Sequence, residues 1–345
     1  MNSSFTLRGL LSRYSLVGVF VVVAVIFSIL KPGTYPTSHT AQSIASTNAV
    51  LAMVALAAMV PLAAGQFDVS VAAQLSFAQS LMAGLVIKQG WSPLAAMVVV
   101  ILVGLVVGAV NGVLVGYAKL NSFIVTLASG VLVHGLAQWY TNGESIFGTM
   151  PRWFLRLGRG SVVGVPLPLV YVLAAAAVLV IAYEYTTWGR RSTATGANPR
   201  AAEIVGLPIR RLTLNAFVVA GALAAIGGVI SVSLLGSASP NVGGSYLFPA
   251  FAAAFLGATS IRPGRFNPIG TVLALYMLQA GITGLRQLGA QSYVEDFFNG
   301  AALVTAVALS TWTARRRSVV RREPAPTQPV EAPHEAKESV DVLGS

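Results

Sequence analysis

The sequence predicts an all-α polytopic membrane protein, and three observations carry that prediction. Hydrophobic residues make up 55% of the 345-residue chain and charged residues 10%, where a soluble domain carries about 25% charged. Apolar runs close to the length of a bilayer crossing recur along the chain, separated by short polar segments. Basic residues gather in alternate segments between those runs, the bias that orients membrane proteins. A mean hydropathy of +0.74 and 34 glycines fit the same class.

About ten spans are expected, at 14–30, 42–64, 69–87, 92–117, 122–140, 165–185, 212–234, 245–261, 267–285 and 294–313. The first, "SLVGVFVVVAVIFSIL", follows Arg8 and Arg13. No small-residue cleavage site comes directly after it, so it reads as a retained span rather than a signal peptide. With the N-terminus inside, the outer segments hold Lys31, Lys88, Arg152, Arg156, Arg159 and Arg286, and the inner segments the other 16 of 22 basic residues. Both termini are therefore expected in the cytoplasm. Residues 1–13 form a cytoplasmic N-terminus, 14–313 the transmembrane domain and 314–345 a cytoplasmic tail. The tail, rich in proline and acids, is expected to be disordered. The longest outer loop, 141–164, carries Trp153, Phe154 and three arginines, enough for a short surface helix.

Several chemistries are excluded. The chain has no cysteine, and His39, His134 and His334 are scattered without H-E-x-x-H, so no metal site is expected. None of the four lysines follows a glycine, so there is no P-loop, and there is no G-x-S-x-G. The net charge of +11 lies largely in the loops and the tail, which makes it a topology signal rather than a sign of a nucleic-acid partner.

In "GLVVGAVNGVLVG", Gly104, Gly108, Gly112 and Gly116 recur every four residues, a face suited to close helix packing. Asn111 lies beside that face, to line a pathway or to bond between helices. In "AAGQFDVSVAAQ", Asp68 stands between two spans with almost no loop around it. An acid at membrane depth is a functional candidate; a cap accepting from the amides near Ser70 and Val71 is the simpler reading. "GRFN", 264–267, echoes "GQFD", 65–68, again on the inner side and again before a span. Polar residues inside spans are otherwise neutral (Asn48, Gln74, Gln79, Asn111, Thr126, His134, Gln138, Gln279, Asn299), which suits a neutral, hydrogen-bonding solute moved with energy from another subunit.

"GANPRAAEIVGLPIRR", 196–211, predicts a short helix with both ends specified. Asn198 is placed to cap it, Pro199 sits at the first helical position, Gly206 stops it and Pro208 prevents resumption. Arg200 and Glu203 share one face, and Ala201, Ile204 and Val205 another. Docking by a cytoplasmic partner and lying on the lipid surface both fit that pattern.

Four blocks within about 40–312 resemble the permease subunits of bacterial ABC importers for ribose, xylose and galactose, whose relatives carry branched-chain amino acids and nucleosides. They are "GQFDVSVAAQ", "NGVLVGYAKLNSFIVTLASGVLVHGLAQWYTNG", "WGRRSTATGANPRAAEIVGLPIRR" and "GSASPNVGGSYLFPAFAAAFLGATS". Gln66, Phe67, Ala72, Leu247, Pro249 and "SIRPGRFN" depart from the usual pattern.

The resemblance implies a transport subunit in the bacterial inner membrane rather than an enzyme. It implies a second permease copy, identical or paralogous, and an external solute-binding protein facing 141–164 and Asn241. Cytoplasmic ATPases would bind ATP and Mg, and this chain would hold no cofactor. Within the loop 186–211, Asn198, Pro199, Arg200, Ala201, Ala202, Glu203 and Gly206 would couple to the ATPase. Asn48, Asp68, Ser70, Asn111, Thr126 and Asn241 are the candidate translocation pathway. The solute would be a monosaccharide; a nucleoside, autoinducer or branched-chain amino acid permease, or an ion-coupled transporter, are the alternatives.

Overall fold

The computed structural model describes residues 7–320; of the expected N-terminal segment 1–13 and tail 314–345, residues 1–6 and 321–345 lie outside the described residues, while 7–13 and 314–320 belong to the first and last helices. In chain order the helices are α1 (Leu7–Leu30), α2 (Ser38–Thr47), α3 (Ala49–Ala63), α4 (Val71–Ala83), α5 (Pro93–Gly116), α6 (Ser122–Thr141) and α7 (Arg152–Arg159). They continue as α8 (Leu167–Tyr185), α9 (Thr187–Ala197), α10 (Pro199–Ile204), α11 (Ile209–Leu235), α12 (Gly243–Gly257), α13 (Pro268–Gln287) and α14 (Ser292–Val320). Helix α4 runs on into a π-helical turn, Gly84–Lys88. Among the described residues six helices are long and apolar enough to cross a bilayer, or seven if α2 and α3, bent by 45° at Asn48, form one span. The other apolar runs are helical too, but shorter or less apolar; α12 has 15 residues, about 22 Å at the α-helical rise.

Helix α3 is the centre of the bundle. All 15 of its residues are buried, and its alanine-rich sequence lets α4, α8, α11, α12 and α13 approach from around it. It ends in a left-handed glycine, Gly65 (φ 78°), with Gln66 N–H donating to Pro61 O at 2.9 Å and Gly65 N–H to Leu62 O at 3.0 Å.

The tightest pairing is α5 against α11. A Cβ at Gly104 would lie 2.6 Å from the Gly221 oxygen, at Gly108 2.3 Å from the Phe217 oxygen, at Gly112 2.8 Å from Leu214 Cα and at Gly116 2.8 Å from the Arg210 oxygen. All four glycines therefore face one helix, where any side chain would drive the backbones apart. The opposite face of α5 exposes Leu94, Val98, Leu102, Val106 and Val110. Small residues inside and large apolar residues outside is the arrangement of a helix bathed in lipid.

The bundle has two distinct ends. The proximal end carries α9, α10, the 64–70 break between α3 and α4, and the 258–267 loop between α12 and α13. The distal end carries α7 and two small antiparallel ladders, β1 (Ile146–Phe147) with β4 (Ser237–Ala238) and β2 (Ser161–Val162) with β3 (Val165–Pro166). The loop 141–164 does fold into a helix, but α7 is more than a surface element. Phe154 is fully buried, and Arg159 donates to the Leu234 and Leu235 carbonyls at 2.7 and 2.9 Å, fastening α7 to the end of α11.

Candidate functional site

The 64–70 break is lined with polar groups. Ser70 N–H donates to Asp68 Oδ1 at 3.0 Å, and the Ser70 hydroxyl donates to the same oxygen. The Ser70 oxygen in turn accepts from Gln74 Nε2 at 2.8 Å and Asn111 Nδ2 at 2.9 Å. Helix α6 closes the other side: Val69 N–H donates to Thr126 Oγ1 at 3.0 Å and Phe67 N–H to Ser122 Oγ at 3.2 Å. Asp68, Ser70, Asn111 and Thr126 are fully buried. The turn at Asp68 thus caps Ser70 without reaching Val71, and three helices, α4, α5 and α6, are hydrogen-bonded at this one point.

Four of the six residues expected along a pathway, Asp68, Ser70, Asn111 and Thr126, meet in this cluster. The other two lie elsewhere. Asn48 sits at the α2–α3 bend with Nδ2 donating to Ile44 O at 2.9 Å. Asn241, beyond β4 at the distal end, accepts from Gln138 Nε2 at 2.6 Å. Gln74, noted in the sequence only as a polar span residue, and Ser122, not noted there, complete the cluster. Their signal is spacing: Gln74 follows Ser70 by four residues and Ser122 precedes Thr126 by four, so each pair shares a helix face. Three buried oxygens, Asp68 Oδ2, Gln74 Oε1 and Asn111 Oδ1, have no protein hydrogen-bond partner.

At the proximal surface, α10 has both ends fixed. Asn198 Oδ1 accepts from Ala201 N–H at 3.1 Å, and Pro199 occupies the first turn. Gly206 is left-handed (φ 73°), with Leu207 N–H donating to Ala202 O at 3.0 Å and Gly206 N–H to Glu203 O at 3.0 Å. Ala202 alone of the helix is buried; Arg200, Ala201 and Glu203 are exposed, Ile204 is 86% exposed and Val205 beyond it 72%. The helix therefore projects, joined to the bundle through α9. There Gly196 sits so close to the 64–70 break that a Cβ on it would be 2.4 Å from Ala63 O.

A family model described as "Branched-chain amino acid transport system / permease component" matches residues 40–307. The chain is 33% identical over 293 residues to the ribose import permease protein RbsC of Bacillus subtilis, covering 85% of this chain and 90% of that protein. It is 28% identical to the D-allose transport system permease protein AlsC of Escherichia coli, covering 86% and 91%. It is 27% identical to the L-arabinose ABC transporter permease protein AraH of Azospirillum brasilense, covering 90% and 91%. No solved structure matches. With the family model spanning most of its length and a relative above 30% identity across nearly all of both proteins, the chain belongs to the branched-chain amino acid transport system permease family.

Proposed function

We propose that the chain is the membrane permease of an ATP-driven importer for a monosaccharide, inserted in the bacterial inner membrane by ten spans with both termini in the cytoplasm. The basic residues support that orientation: the proximal loops hold Lys119, Arg190, Arg191, Arg200, Arg210, Arg211, Arg262 and Arg265, eight against the six at the distal end. The observation that carries the mechanism is α10. A six-residue helix too short to persist alone is fixed at both ends and presents bare Ile204 and Val205 to water. Seated in a cytoplasmic ATPase, Asn198 to Gly206 form a stiff lever. Movement of the ATPase pair passes through α9 and Gly196 to the 64–70 break, where Asp68, Ser70, Asn111 and Thr126 hold three helices together.

ATP and Mg belong to that ATPase, and a second permease copy completes the membrane core. The distal surface formed by 141–164 and Asn241 receives the external binding protein. Purification from gently solubilised membranes should bring down an ATPase whose activity rises with the loaded binding protein. Deleting 198–206 should abolish the association; Ile204→Asp with Val205→Asp should weaken it while the protein still inserts. Sugar transport at the normal rate by the inserted double variant would sink the lever.

A further inference from the structure

A cavity of about 820 Å³ opens in the distal half of the bundle between α12, α13, α14 and the α2–α3 bend. That volume lies within the range of small-molecule sites, roughly 300–1,000 Å³. It forms where two helices are interrupted. One is the bend at Asn48. The other is Pro249 inside α12, which has no N–H to offer the Ser245 carbonyl a turn earlier; both residues line the cavity.

The lining chemistry is selective. Gln279 on α13 is 6% exposed and lines the cavity, and its side-chain amide makes no hydrogen bond to the described residues. Asn48 has given Nδ2 to the Ile44 carbonyl, which leaves its Oδ1 to accept. Asn299 on α14, equally buried, has an unpartnered Oδ1 behind that surface. Other buried amides are bonded at one end or both: Gln79 accepts from Ser231 at 2.8 Å and donates to Ser239 O at 2.5 Å, and Gln74 and Asn111 each donate to Ser70. An amide at Gln279 that lines the recess and is not spent on the described residues is available to hydrogen-bond a bound solute or its water. Tyr246 supplies an apolar ring face beside these amides. At the rim Arg286 is held by Glu295, and Asp296 adds a second negative charge, so nothing there is free to attract a carboxylate or phosphate.

We propose that this recess is a transport subsite for one neutral polyhydroxylated ring, with Gln279 and Asn48 hydrogen-bonding its hydroxyls and Tyr246 packing on its C–H face. The assignment rests on the reading that the distal end faces outward and that the cargo is a monosaccharide. It adds a place in the permease itself where the cargo is recognised.

The chain has no cysteine, so Ser245→Cys creates a single thiol at the recess. The full importer carrying it would be exposed in proteoliposomes to a membrane-impermeant thiol reagent on the binding-protein side, with and without D-ribose, D-allose or L-arabinose. Labelling from that side, slowed several-fold by whichever sugar the wild type transports, is expected. Uptake should fall about tenfold in Gln279→Leu, as loss of one recognition hydrogen bond implies, and recover partly in Gln279→Asn, with insertion unchanged. No labelling from the binding-protein side overturns the proposal, as does labelling that the transported sugar leaves unchanged, or uptake by Gln279→Leu equal to wild type. Failure of the wild type to carry any of the three sugars counts against the functional reading instead; the recess then stands or falls on whether Ser245→Cys is labelled from that side.

Discussion

Two loops at the proximal end begin alike and end differently. "GQFD" enters α4 and "GRFN" enters α13; both open on a glycine with φ of 78°. Both place a phenylalanine two residues on, and the two rings meet on one residue. Phe67 and Phe266 lie 6.3 and 5.3 Å from the Phe255 ring of α12. The last residue separates them. Asn267 is self-sufficient: Oδ1 accepts from Gly270 N–H at 2.7 Å, and Nδ2 donates to the carbonyls of Gly257, Arg265 and Ser260 at 3.1, 3.1 and 3.3 Å. Asp68 satisfies one oxygen with Ser70 and leaves the other unpartnered, while its loop is held by α5 and α6. One loop is locked by its own side chain; the other is held by side chains of its neighbours. The echo of four residues seen in the sequence thus corresponds to two matched turns secured in opposite ways, one from within and one from outside.

Exchanging the two carbonyl-bearing side chains breaks the comparison most sharply. Asn267→Asp removes three donations and sets a carboxylate among carbonyl oxygens, so it should cost about 3 kcal/mol or more, read as a fall in thermal unfolding temperature in detergent. Phe255→Ala should cost about 3 kcal/mol and loosen both loops together; faster proteolysis at one loop alone would show that the rings are not shared. Gly65→Ala should cost about 1–2 kcal/mol, because its left-handed backbone disfavours a side chain and a Cβ would lie 3.1 Å from Gly196 Cα. Asp68→Asn, the mirror of the first change, should fall within about 1 kcal/mol of wild type, since it keeps the acceptor and removes a buried charge. A large loss there would mean that the carboxylate itself is required for folding.

What could be read from the chain follows from how local each signal is. The glycine stripe of α5 and the two ends of α10 depend on spacing within one helix, and they are plain in the sequence. The bend at Asn48 is not, because "SIASTNAVLAMV" runs without a proline or glycine. The cluster at Asp68 was legible as separate polar residues but not as a site, since it depends on which faces of α4, α5 and α6 meet. The apolar side expected on α10, Ala201 with Ile204 and Val205, is the exposed side; Ala202, which pattern alone did not favour, is the one that packs. The idle amide of Gln279 was equally invisible, because a missing partner is a property of three-dimensional surroundings.

The distal ladder has a consequence in time. Ile146 pairs with Ala238, and Phe154 is buried with α7 against the end of α11, so the loop 141–164 cannot settle until a further 90 or so residues have been made. At about 5–20 residues per second that is an interval of several to some twenty seconds. During it, a newly inserted protein shows an unburied phenylalanine and unpaired strand at its distal end. A chain stalled before α11 therefore carries a visible mark of incompleteness, available to any protease that surveys that side of the membrane.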